Sequence, residues 1–170
     1  MATLTVYVDE SARAGRYTVA GAVVDESRAA ELRVALRHYL RRGRRRIHFH
    51  REPPSLRNEL LTVFADLPVT FLGWTVRSAP GVSQHVARDL CLRAMIADLQ
   101  AAGEFDVVLE SRQDDRDDQA AFSRYRLPSP RLAYRHLPAG DEPLLWLADG
   151  AAWALSLGRQ IANCNHRQVS

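Results

Sequence analysis

The chain has 170 residues, 46% of them apolar, and a formal net charge of +3. That length and composition exclude an intrinsically disordered chain and predict one domain spanning residues 1–170. The charge is unevenly placed: residues 28–57 carry ten Arg against two acids, a net +8, which leaves −5 for the rest. Lys is absent, so every fixed side-chain cation is a guanidinium, whose fork suits phosphate oxygens. A GC-rich genome gives the same usage. Cys91 and Cys164 lack the number and spacing of a disulfide framework or zinc site, and a reducing, cytoplasmic setting is the expectation. The opening "MATLTVYVDES" has no basic leader region. Asp149 interrupts the longest apolar run well short of the ~18 residues of a membrane span.

In chain order, "TLTVYV" alternates and is β-branched, and "RYTVAGAVV" repeats that style after a turn at Ala-Gly, which predicts an antiparallel hairpin. "DESRAAELRVALRHYLRRG" has helical spacing at Leu32, Leu36 and Leu40, an acidic start, an Arg-rich end and a Gly stop. "RRRIHFHRE" reads as a short strand, "SLRNELLTVFADL" as a helix, "VTFLGWTV" as a strand, "SQHVARDLCLRAMIADLQAAG" as a long helix, and "FDVVLE" as a strand. A helix in "DDRDDQAAFSRYR", a last strand in "RLAYRHL" and a closing helix over "EPLLWLADGAAWALSLGRQIANC" complete the order. The expectation is an α/β fold: a mixed sheet with an N-terminal β-hairpin and helices on its faces.

Three acids stand at comparable edges of this scheme. Asp9 follows the first strand, with Glu10 next to it and expected on the opposite face; Glu110 closes "FDVVLE"; Asp149 sits in the apolar last helix. An unpartnered buried carboxylate is costly, so Asp149 must be exposed, paired or gathered with other acids around an ion. Carboxylates held together suit Mg²⁺ or Mn²⁺, and two such ions about 3.5–4 Å apart activate water against a phosphodiester. Asp9 also reads as a turn cap, and Glu110 as a strand leaving the core.

These residues carry a resemblance. "YVDES" on the first strand, "IHF" at 47–49, "VVLES" and "LADGAAWAL" resemble the domain-of-unknown-function 3800 family, whose members commonly read "DESG" early and "QLADLIAG" late. The resemblance spans nearly the whole chain and implies a ribonuclease H-like fold. It also implies that Asp9, Glu110 and Asp149 bind metal, with Glu10 and His48 beside them. Ala12 replaces the usual Gly, Trp146 the frequent Gln, and Glu110 the common Asp, which lengthens that ligand by one methylene.

On a strand, His48 and His50 would share a face and could chelate a transition metal, though no third ligand is identifiable; His48 also suits acid-base or hydrogen-bonding work. "RRGRRR" at 41–46 places Arg42, Arg44, Arg45 and Arg46 at a helix end, as phosphate contacts or simply as cations at the negative end of the helix dipole. Asp114 or Asp115 in "DDRDD" is a subsidiary metal-ligand candidate, and Trp74, Trp146 and Trp153 read as core. The leading function is a Mg²⁺- or Mn²⁺-dependent nuclease acting on DNA or RNA. A non-catalytic nucleic-acid-binding or regulatory module is the alternative. A third reading is a homodimer whose last helix is the interface, with Asp149 paired across it to an Arg.

Overall fold

Strand β1 (Leu4–Arg13) and strand β2 (Arg16–Asp25) form the hairpin, closed by Ala14 and Gly15, both at positive φ (50° and 69°). Two consecutive left-handed residues match the right-handed twist of the flanking strands. The computed structural model describes residues 3–113 and 115–170. Helix α1 (Glu26–Arg37) starts at Asp25, whose carboxylate accepts from the Ser27 N–H at 2.9 Å. Helix α2 (Pro54–Asp66), strand β3 (Thr70–Arg77), helix α3 (Gln84–Ala102), strand β4 (Phe105–Glu110) and helix α4 (Asp115–Tyr125) follow. Strand β5 (Leu132–Leu137), helix α5 (Leu145–Ser156) and strand β6 (Cys164–Gln168) complete the chain.

The sheet has six strands in the order β5-β4-β1-β2-β3-β6. The β1–β2 and β2–β3 pairs are antiparallel; β1–β4, β4–β5 and β3–β6 are parallel. Alternation along β1 divides the core. Tyr7 joins the cluster under α1, α2 and α5, whereas Val6 and Val8 join the cluster under α3 and α4. Asp9 therefore belongs to the α5 side and Glu10 to the α3 side. In β4, Val108 packs on the α5 side, which puts Glu110, two residues on, on that side as well.

All twelve residues of α5 are buried, and the helix crosses β1, β2 and β3. Its start is fixed by Glu142, which accepts from Arg33 and from the Leu144 N–H, and by the Trp146 indole, which donates to the Ala139 carbonyl at 2.7 Å. A helix enclosed by its own chain has no face for a partner subunit, so the dimer reading that placed α5 at an interface loses its surface. Trp74, Trp146 and Trp153 are buried, in keeping with core roles. Among the described residues, no helix is long and apolar enough to cross a membrane.

Four sequence expectations need correction. Strand β1 does not stop before Asp9 but runs on to Arg13, with Asp9 opposite Ala20 and Glu10 opposite Val19, so Asp9 caps no turn and only the β1–β4 pairing ends there. "RRRIHFHRE" is not a strand: Ile47 and Phe49 are buried, but Phe49–Arg51 makes one 3₁₀ turn, and the Phe49 N–H binds a carboxylate on α5 instead of a neighbouring strand. Helix α1 ends at Arg37, not Gly43, because Tyr39 and Leu40 reach the core through successive turns. The last strand is β6, not β5. It follows a shorter closing helix that stops at Ser156 before a turn with Gly158 at φ 74°.

Cys91 and Cys164 are unbridged, and burial pushes both thiols up to about 11. Near neutral pH the native protein should react with an aromatic disulfide reagent roughly a hundredfold more slowly than the denatured chain. A fast-reacting thiol in the native protein would contradict this packing.

Candidate metal centre

The parallel β1–β4 pair runs in register through Val8 and Leu109, so Asp9 and Glu110 follow side by side at the next position. Helix α5 lays Asp149 against the same place. All three are largely withdrawn from water; Asp9 is 5% exposed and Asp149 7%. Acids from three distant segments thus converge on one side of the sheet. Glu110 and Asp149 border a cleft of about 300 Å³ also lined by Glu10, His48, His50 and Trp153, with Asp9 buried behind it.

Each acid is held by specific donors. Asp149 Oδ2 accepts from the Phe49 N–H at 2.8 Å and lies 3.4 Å from His48 Nδ1. The carboxylate in the apolar helix is therefore answered by the turn packed over it, and "IHF" and "LADG" meet in space. Glu110 accepts from Arg46 Nη1 and, at 3.0 Å, from Arg112 Nη2. Asp9 accepts from Arg112 and from the Glu10 N–H. Glu10 projects to the other face and accepts from Arg88 Nε at 2.8 Å and from Arg112 Nη1 at 3.1 Å.

The electrostatics show a deficit of positive charge. Burial, then the negative charges of Asp149 and Glu110, push Asp9 well above the usual carboxylate range, although Arg112 acts against them. Burial also raises Glu110, but the hydrogen bond with Asp9 and the guanidiniums of Arg46 and Arg112 outweigh it and hold Glu110 below its ordinary value. Hard oxygen donors gathered from three segments, their charges only partly answered by two neighbouring guanidiniums, are a donor set fit for Mg²⁺ or Mn²⁺. Asp9, Glu110 and Asp149 would be the holding residues.

His48 and His50 do not share a strand face. Their rings meet edge to face with centroids 4.1 Å apart, and burial, then His48, Arg13 and Arg51, hold His50 below the usual imidazole value. The Arg run also divides. Arg46 pairs with Glu110, Arg41 with Glu52 at 2.7 Å, and Arg45 loosely with Asp141 at 3.7 Å, while Arg42 and Arg44 are exposed.

The structure adds residues that the sequence reading passed over. Arg112 binds Asp9, Glu10 and Glu110, and Arg88 binds Glu10. Asp115, Asp118 and His136 form a second group, the one set among the described residues whose three donor atoms all lie within 4.8 Å of one another. The Asp9, Glu110 and Asp149 donors are spread wider. Within the second group Asp118 is already bonded to Arg88 and, at 2.8 Å, to His136. Of this group the sequence had offered Asp115, as the alternative to Asp114 in "DDRDD", but not Asp118 or His136; Asp114 lies outside the described residues.

No family model matches the chain, and no curated protein matches it. Among solved structures, Bst-RNase HIII in complex with Mn²⁺ superimposes with a TM-score of 0.53 at 14% identity, over 93% of this chain and 53% of that one. A point mutant of Bst-RNase HIII covers similar shares, 93% and 54%, at 12% identity and a TM-score of 0.45. The chain spans about half the length of these structures. With the mixed six-stranded sheet, the first likeness defines the fold as ribonuclease H-like.

Proposed function

We propose that this chain is a divalent-metal-dependent nuclease, one ribonuclease H-like domain of the domain-of-unknown-function 3800 type, hydrolysing phosphodiester bonds in DNA or RNA. The observation that carries the reading is the convergence of Asp9, Glu110 and Asp149 on one side of the sheet, Asp9 and Asp149 buried and Glu110 partly so, with Asp9 raised by its acid neighbours. When bound, Mg²⁺ or Mn²⁺ would supply an activated water and neutralise charge on the phosphate. The chain's own part is to fix the ligands. The Phe49 N–H and His48 orient Asp149, Arg46 orients Glu110, and Glu10 steadies β1 beside Asp9 through Arg88. His48 borders the cleft, where its imidazole can hold or pass a proton near the scissile group. The two unbridged cysteines support a cytoplasmic setting.

The test is cleavage of end-labelled single-stranded, duplex and hybrid DNA and RNA with Mn²⁺, Mg²⁺ or EDTA. Product that requires the metal supports the enzyme; nucleic acid bound but uncut in every metal would replace it with the binding module. The spread of the three acids around guanidiniums is the observation that favours that second reading.

Exposed Arg42, Arg44 and Arg45 are the phosphate contacts of this proposal. Changing all three to Gln should weaken binding about equally for all sequences. It should also make the dependence of log affinity on log salt shallower by about 2–3. An unchanged salt slope would remove the run from the interface.

A further inference from the structure

We propose that Arg112 is a built-in competitor for the metal: its guanidinium fills the cation position among Asp9, Glu10 and Glu110, and a divalent ion binds by displacing it. The inference rests on the metal-site reading above. Arg112 lies two residues beyond the end of β4. Its Nη2 donates to Asp9 and Glu110 and its Nη1 to Glu10, so one guanidinium bridges three carboxylates from two strands. Asp9 and Glu10 face opposite sides of β1, and Arg112 reaches both just beyond the last β1–β4 pair, Val8 and Leu109. Arg112 is part of the cleft's lining.

A neighbouring arginine marks the contrast. The Arg88 side chain is 13% exposed, grows from the body of α3 and is fixed between Glu10 and Asp118. The Arg112 side chain is 38% exposed, and two of the three carboxylates it binds, Asp9 and Glu110, belong to the proposed metal site. Its backbone is separately anchored: the Arg112 N–H donates to Asp115 Oδ1 at 2.8 Å, and the Ser111 hydroxyl donates to Asp115 Oδ2 at 2.9 Å. The side chain can therefore leave the acids by rotating its own bonds while the loop stays in place. Arg88 is an anchored counter-charge and Arg112 an exchangeable one.

Exchange has a definite cost and gain. Without a cation the clustered acids repel one another, so Arg112 stabilises the metal-free fold. A dication attracts the same oxygens more strongly than a delocalised single charge, but the metal affinity is reduced by whatever Arg112 contributed. Arg112 thus sets the metal concentration at which the site fills.

The test is Mn²⁺ titration calorimetry, with unfolding temperatures in EDTA and in Mn²⁺, on the full chain as wild type, Arg112→Gln and Asp149→Asn. The expected result is that Arg112→Gln unfolds at a lower temperature in EDTA, binds Mn²⁺ at least about tenfold more tightly, and gains more stability from it than wild type does. Equal or weaker Mn²⁺ binding by Arg112→Gln, with binding lost in Asp149→Asn, would overturn the competitor role and leave the metal site standing. Binding unchanged in Asp149→Asn would overturn both. Should Arg112→Gln not fold in EDTA, Arg112→Lys keeps the charge without the fork. It should then bind Mn²⁺ more tightly than wild type, and an affinity at or below wild type would overturn the proposal.

Discussion

Asp149→Asn is expected to lower metal-dependent cleavage by about 10³-fold or more while leaving the urea midpoint close to wild type. Removing one charged ligand forfeits several kcal/mol of charge stabilisation at the reacting phosphate, and each ~1.4 kcal/mol is tenfold in rate. The fold should tolerate the change because the carboxamide is nearly isosteric and its oxygen can still accept from the Phe49 N–H, now bonded to Oδ2 at 2.8 Å. Loss of one negative charge also relieves Asp9, which Asp149 pushes upward. Initial rates at saturating metal, with a urea melt of the same sample, separate the two effects. Full activity in this variant would mean that Asp149 only docks the turn over α5.

Gly150→Ala is expected to destabilise the protein by about 1–3 kcal/mol and to impair the site as well. A Cβ at Gly150 would lie 2.6 Å from Phe49 Cε2 and 2.7 Å from Phe64 Cε2, closer than side-chain carbons pack. Neither ring has room to retreat. Phe49 and Phe64 are buried with centroids 5.7 Å apart, and Phe49 also packs on Trp153 at 5.7 Å. In an exposed helix the same change would gain ~1 kcal/mol of helix propensity, and overpacking a rigid aromatic cluster outweighs that gain. Phe49 cannot move without shifting the N–H that holds Asp149, so cleavage should fall together with the urea midpoint. A variant more stable than wild type would show that the rings yield and that Gly150 is not what seats α5 on the turn.

Much of this was legible in the sequence wherever burial imposes a period. The hairpin, β3, α3 and β4 follow their apolar patterns, and the alternation that put Asp9 and Glu10 on opposite faces holds in β1. Asp149 in "LLWLADGAAWAL" was informative because an acid in an enclosed helix needs a reason. The remainder failed for identifiable causes. "CNHRQ" is polar on both faces because β6 is an exposed edge, so no period marks it. "IHF" alternates like a strand, yet its apolar residues serve a turn whose N–H binds a carboxylate. Arg46 belongs to an Arg run by sequence and to Glu110 by contact. Arg112 gains significance only once β1 lies beside β4, a pairing between strands about a hundred residues apart.

Crystals grown with Mn²⁺, measured at the manganese absorption edge, test most directly whether Asp9, Glu110 and Asp149 hold a divalent ion. An anomalous peak bounded by those three carboxylates is expected, with the Arg112 guanidinium moved out of it. No peak there, or a peak confined to Asp115, Asp118 and His136, would contradict it.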